Sequence, residues 1–248
     1  MNFSKSWIIA AKDFKTYRKK KNILYSLVVV PLIIAVLIPT VIGYAGHKNG
    51  ATGIPATELV ILLPAFLFFY VILAAYIPTP IASYTIVGEK VEKSLEPLLA
   101  TPTTDGEILL GKGIAAFLPP LAAVLGGATV FMTYMDLTTH STLGYYYFPN
   151  WDAAILLLTL VPLAALLSVQ VNVIISSRIS DVRTGQQLGV LTILPFAGIY
   201  VAGELDIIDL GSTTTFLAIL ATVLVVDVLL FFVSRATFRR EEILTKWK

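Results

Sequence analysis

Apolar residues in this chain come in long unbroken runs, and the polar residues collect between them. Crossing a hydrocarbon core of about 30 Å takes roughly 20 apolar residues in a helix. Runs of about that length cover residues 24–45, 58–82, 113–135, 152–176, 187–203 and 213–234. Each predicts a transmembrane helix; the fifth, as the shortest, is tilted or partly re-entrant. The expected fold is an all-α integral membrane protein: one domain over 1–248, with a segment 1–23, a six-span bundle 24–234 and a tail 235–248. The opening MNFSKSWIIAAKDFKTYRKKK places its basic cluster after a short apolar patch, and no small-residue cleavage site follows the first run, so that run is expected to stay as a span.

Basic residues orient the bundle. Lys5, Lys12, Lys15, Arg18, Lys19, Lys20 and Lys21 precede span one. Lys90, Lys93 and Lys112 follow span two, Arg178 and Arg183 follow span four, and Arg235, Arg239, Arg240, Lys246 and Lys248 follow span six. With Lys48 alone on the other face, 17 of 18 basic residues share one side. Such residues near span ends are retained in the cytoplasm, so both termini are predicted cytoplasmic.

Composition agrees, since 56% hydrophobic and 14% charged lies outside the mixture of soluble domains. The absence of cysteine excludes a disulfide framework, thiolate metal sites and a Cys nucleophile. His47 and His140 both fall in connections, so no span holds the nucleophile–base pair or metal cluster of an intramembrane enzyme.

Within the spans the informative residues are few. Nine of thirteen prolines lie in or beside proposed spans, which predicts deformable helices or reflects the ordinary abundance of Pro in membrane helices. Asp227 is the main intramembrane ionisable residue. At a cost of about 2.5–3.5 kcal/mol near a helix centre it is not expected to face lipid. It either pairs with a polar group on another helix, with Gln170 and Asn172 as candidates, or belongs to a cation or proton path. Tyr145, Tyr146, Tyr147, Phe148 and Trp151 read as interfacial anchors or as an outer gate. Glu204, Asp206 and Asp209 sit in a connection that allows short re-entrant or extracellular helices, and Gly185 and Gly189 have the spacing for close helix approach.

Two polar stretches look built for contact. From Ser6 to Lys21, Trp7, Ala11 and Phe14 recur at helical spacing while the lysines fall largely elsewhere, as in a helix lying in the membrane interface or a charged tail that sets topology. The connection VGEKVEKSLEPLLATPTTDGEILLGKG alternates Glu89, Glu92 and Glu96 with lysines and then places Leu95, Leu98 and Leu99 on one face. After Thr101–Pro102 stops that helix, Thr104 and Glu107 have capping-box spacing and start a short helix carrying Asp105, Ile108, Leu109 and Leu110. These elements suit docking of a soluble partner or resting on the bilayer.

The stretch Glu89, Ser94-Leu95-Glu96, Leu98-Leu99-Ala100-Thr101-Pro102, Glu107-Ile108-Leu109 and Gly111-Lys112 resembles the signature of ABC-2 type transporter permeases between their second and third spans. Ala11-Lys12-Asp13, the basic residues after it and Pro31-Leu32 resemble that family's elbow helix and first span. Lys93 departs from the pattern, standing where the family has Gly.

The resemblance implies the membrane-spanning subunit of an ABC exporter, paired with a second copy or a related permease and with two ATP-binding subunits that hold ATP and Mg²⁺. Thr104, Asp105, Glu107, Ile108, Leu109 and Leu110 would form the coupling helix that receives the ATPase, and Glu89 and Glu96 would hold the cytoplasmic gate. The chain has no Gly-x-x-x-x-Gly-Lys-Ser/Thr loop, so ATP hydrolysis and its cofactors are expected on the partner. No nucleic acid is expected, and a bacterial or archaeal cytoplasmic membrane suits the size. The apolar lining suits a lipid-like, amphipathic or drug-like substrate. Sodium or other ion export by the same kind of complex, or a gradient-driven secondary transporter, are the alternatives.

Overall fold

A computed structural model of the protein describes residues 3–48, 54–91, 101, 103–179, 181–210 and 212–237. Among these the regular structure is helical. Six helices are long and apolar enough to cross a membrane: Tyr25–Tyr44, Ala56–Ser83, Asp105–Leu143, Trp151–Arg178, Val182–Glu204 and Thr213–Arg235. They are called spans one to six below. A separate N-terminal helix, Phe3–Lys19, lies before them.

The helices are not equivalent in depth. Spans two and four have 50% of their most apolar window buried within the chain, against 11% for span six, so two and four form the centre. Span one and the N-terminal helix pack on span three, span two on span four, span five on span two, and span six on span four. The main core runs through all six spans. A second core unites Ile9, Ala10 and Tyr17 of the N-terminal helix with Ile81 and Ala82 of span two, Ile108 and Ala115 of span three, and Val169 and Val173 of span four. That second core lies at the end where the basic residues gather, here the basic end.

Proline explains much of the irregular backbone. Its ring clashes with the carbonyl four residues back and it lacks an N–H, so the preceding turn must loosen. Span two breaks at Ile77, before Pro78. A π turn, Leu156–Leu160, precedes Pro162 in span four, and a 3₁₀ turn, Val190–Thr192, precedes Pro195 in span five. Pro31, Pro39, Pro64, Pro119 and Pro120 remain inside continuous helix.

Span three differs most from its prediction. It is one helix of 39 residues, Asp105–Leu143, so the segment expected as a separate short coupling helix is the opening of the span itself. At 1.5 Å per residue it reaches about 58 Å, well past the roughly 30 Å hydrocarbon core. At the opposite end Asp136 accepts the Tyr147 N–H at 3.0 Å and the Phe148 N–H at 3.1 Å, folding the aromatic run back onto the helix. Phe148 is buried against Phe131, while Tyr145, Tyr146 and Trp151 stay exposed as interfacial anchors would. The acidic connection forms turns over 205–208, with no re-entrant helix among its described residues.

Candidate functional site

At the basic end, three elements meet around Lys112. The N-terminal helix brings Lys12 and Asp13, a short helical stretch after span two, Glu89–Val91, brings Glu89, and span three brings Lys112. Lys112 is 1% exposed, and its ammonium lies 2.5 Å from Glu89 Oε2, 2.6 Å from the Thr85 carbonyl and 3.9 Å from Asp13 Oδ2. Lys12 reaches the other Glu89 oxygen, Oε1, at 3.1 Å. Two lysines thus clamp one carboxylate. Lys112 and Glu89 are the buried pair, and removing either costs about 3–5 kcal/mol because the other is left uncompensated; Lys12, half exposed, contributes less.

Local sequence explains how these residues converge. Thr85 belongs to a π turn, Tyr84–Gly88, whose wider winding disturbs the regular ladder, and Lys112 takes the Thr85 carbonyl. Gly111 lets the N-terminal helix approach: a Cβ there would stand 2.6 Å from the Ser6 carbonyl oxygen and 2.9 Å from Ile9 Cβ. Ser6, Ile9, Ala10, Asp13 and Tyr17 form that helix's buried face, and Trp7 stands exposed on the outer side. Tyr17 and Thr85 share a hydroxyl hydrogen bond, and burial pushes the Tyr17 phenol up. Burial likewise raises the Asp13 carboxyl to about 6; Lys112 and Lys12 oppose the rise and Glu89 adds to it.

The Thr104–Leu110 segment is tied directly to this cluster. Thr104 caps span three through the predicted box, its side chain accepting the Glu107 N–H while Glu107 Oε2 accepts the Thr104 N–H at 3.0 Å. Glu107 and Ile108 are buried, and Ile108 packs fully buried against the N-terminal helix. Leu109 is half-buried on the same core; Asp105 and Leu110 are also half-buried, and Thr104 is exposed. Only part of the expected docking face is therefore open. Glu96, like Leu95, Leu98 and Leu99, lies outside the described residues.

A second polar group joins spans two, four and five. Asn172 donates to Thr79 at 3.2 Å and to the Ser168 carbonyl at 2.8 Å, and accepts from Ser83 at 3.1 Å. Gly185 and Gly189 pack over it, with no room at Gly189 for a Cβ beside Asn172 and Thr79. The Gly-x-x-x-Gly spacing thus serves close approach at this point. Asp227 is not part of this group. It is buried, and neither carboxylate oxygen has a hydrogen-bond partner among the described residues. Both candidate partners are placed elsewhere: Asn172 in the group above, and Gln170 beside Ser234, whose hydroxyl points at the Gln170 carbonyl, two helical turns from Asp227.

Spans four, five and six wall a cavity of about 690 Å³, lined by aliphatic residues such as Leu167, Val171, Leu191 and Val226, with Phe196 and three threonines. Two of these threonines, Thr192 and Thr222, turn their hydroxyls back onto their own helices, which leaves a nearly apolar surface. No group of three potential metal-ligating His, Cys, Asp or Glu side chains occurs among the described residues.

The cluster thus draws together residues from both stretches whose pattern resembled a known permease family. Lys112 and Asp13 are functional candidates that residue-by-residue reading missed, although both stand inside those motifs. No curated protein matches the chain. A family profile described as ABC-2 type transporter matches residues 5–202, which takes in the N-terminal helix and the first five spans, and the chain belongs to that family as a multi-pass permease subunit.

Proposed function

We propose that this chain is the permease of an ATP-driven exporter, with both termini cytoplasmic in a bacterial or archaeal cell membrane. It works as a pair of permeases with two ATP-binding subunits, which hold ATP and Mg²⁺. The observation that carries this reading is the construction of the Thr104–Leu110 segment. It is rigidly continuous with span three, and through Ile108, Gly111 and Lys112 it is joined to the N-terminal helix, to Ile81 and Ala82 of span two and to Glu89 just beyond that span. A push on that segment moves two spans and the N-terminal helix as one body, as coupling of ATP hydrolysis to transport requires. Glu89 holds this gate region closed in one arrangement through its two lysines. The nearly apolar cavity supports an amphipathic or lipid-like substrate over a sugar or a free ion.

The test uses the permease purified with its cellular partners. Leu109→Asp combined with Leu110→Asp should abolish retention of an ATP-hydrolysing subunit. Leu110→Asp alone leaves Leu109 packed and keeps the result clear of misfolding. Retention by both variants refutes the coupling role. Transport by this chain with no ATPase present would instead favour a gradient-driven transporter built on the buried Asp227.

A further inference from the structure

The N-terminal helix has an outward side that the charge cluster only half uses. Lys12, Lys15 and Lys19 follow one another at steps of three and four residues and so form one stripe on the helix surface. With Trp7, Ile8 and Thr16 they line a shallow depression of about 460 Å³. Lys15 and Lys19 are exposed, and neither forms an ion pair among the described residues. The other end of the same surface is apolar. Phe3, Trp7 and Ile8 are 65%, 46% and 68% exposed, with Phe3 stacked on Trp7 and Trp7 edge-on to Phe14.

An exposed aromatic end beside a basic stripe is the chemistry of the membrane interface, where rings sit among headgroups and ammonium groups reach phosphates. A zwitterionic headgroup offers three lysines no net charge. An anionic one does, and its phosphate oxygens accept from several ammonium donors at once.

We propose that Lys12, Lys15 and Lys19, with Trp7 and Ile8 beside them, bind the headgroup of an anionic phospholipid of the adjoining leaflet, and that Lys12 links its occupancy to the Glu89–Lys112 pair. Lys12 stands at the join: its side chain is 49% exposed, while the Glu89 carboxylate that it meets at 3.1 Å is 9% exposed. A phosphate held by Lys15 and Lys19 competes with Glu89 for the same ammonium. Glu89 keeps Lys112 when Lys12 turns outward, so the lipid changes the balance of the cluster without dismantling it. The site depends on the chain's place in a membrane and not on the exporter reading.

The experiment takes the full chain, delipidated in detergent, and offers equal amounts of phosphatidylglycerol and phosphatidylcholine with matched acyl chains. Native mass spectrometry then counts the retained lipids. Phosphatidylglycerol should be retained over phosphatidylcholine by about tenfold. Lys15→Gln with Lys19→Gln, which spares the Lys12–Glu89 pair and so the packing beneath it, should bring the ratio close to one. Arg178→Gln, Arg183→Gln and Arg235→Gln together remove more charge from the same end and should leave the ratio unchanged. Equal retention of the two lipids by the unaltered chain overturns the site, as does a preference that survives in the lysine variant or is lost in the arginine variant. Glu89→Gln, which weakens the competitor for Lys12, should raise the preference further; an unchanged ratio overturns the link to the cluster.

Discussion

Each hydrogen of the Lys112 ammonium has somewhere to go: a Glu89 oxygen, the Thr85 carbonyl and the field of Asp13. Asp13 is less well served. Its Oδ2 is buried without a hydrogen bond and meets Lys112 only at 3.9 Å, so desolvation outweighs the attraction and its carboxyl rises from 3.8 to about 6. An acid raised in the folded state still holds its proton there at pH values where the unfolded chain has lost it. Stability from this group is therefore complete below pH 3.8 and is lost as pH rises through about 6. Asp13→Asn removes the dependence. The melting temperature of the variant relative to the unaltered chain, measured in detergent from pH 4 to 7.5, should climb across that window and level off above it. A constant difference would show that Asp13 does not titrate in place.

The same residues mark how far sequence reading reached. Glu89 could be singled out because it stands at an acidic position of the stretch that resembles the permease signature, and the Thr104–Glu107 cap because its spacing has one geometric meaning. Lys112 and Asp13 were visible as members of those motifs and as charges near a span, but neither a motif nor a count of charges by side says anything of burial. Whether Asp227 meets Gln170 or Asn172 depended on how spans four and six rotate against each other, which an evenly apolar helix leaves unwritten.

At the scale of elements, hydropathy marks what sits in lipid and not where a helix ends. Asp105, Glu107 and Lys112 interrupt the apolar run at one end of span three and Asp136 and His140 at the other, yet all five lie in one helix. The N-terminal helix was recognisable, but the face it packs inward, Ser6, Ile9, Ala10, Asp13 and Tyr17, carries no apolar pattern that singles it out. The face that does pack is set by Gly111, which permits contact with the Ser6 backbone. Overpacking by inserted methyl groups costs about 1–3 kcal/mol and more where backbone must move. Gly111→Val should therefore lift the helix from span three and open the Lys12 and Lys112 contacts to Glu89. Amide exchange over residues 6–17 should quicken, while exchange in the centres of spans two and four is unchanged. Unaltered exchange over 6–17 would mean that the docking is held without this close approach.

For the whole molecule, span three supplies the ruler by which the facing of the bundle is read. Thr104 and Ser141 cap and nearly close one continuous helix, both are exposed, and 37 rises of 1.5 Å separate them by about 56 Å. A hydrocarbon core of about 30 Å cannot cover both, so the two positions must emerge on opposite sides. The chain has no cysteine, so a single Cys introduced at either place is the only thiol. If basic residues stay in the cytoplasm, an impermeant maleimide added to intact cells should label Ser141→Cys and reach Thr104→Cys only after the membrane is opened. The reverse pattern would keep the fold and invert the bundle, placing Thr104–Leu110 beyond the reach of a cytoplasmic ATPase. Labelling of both from the outside would mean that span three does not cross. The expected pattern places the Lys112 cluster, the capped opening of span three and the lysine stripe on the side where ATP is available, the arrangement that coupling requires.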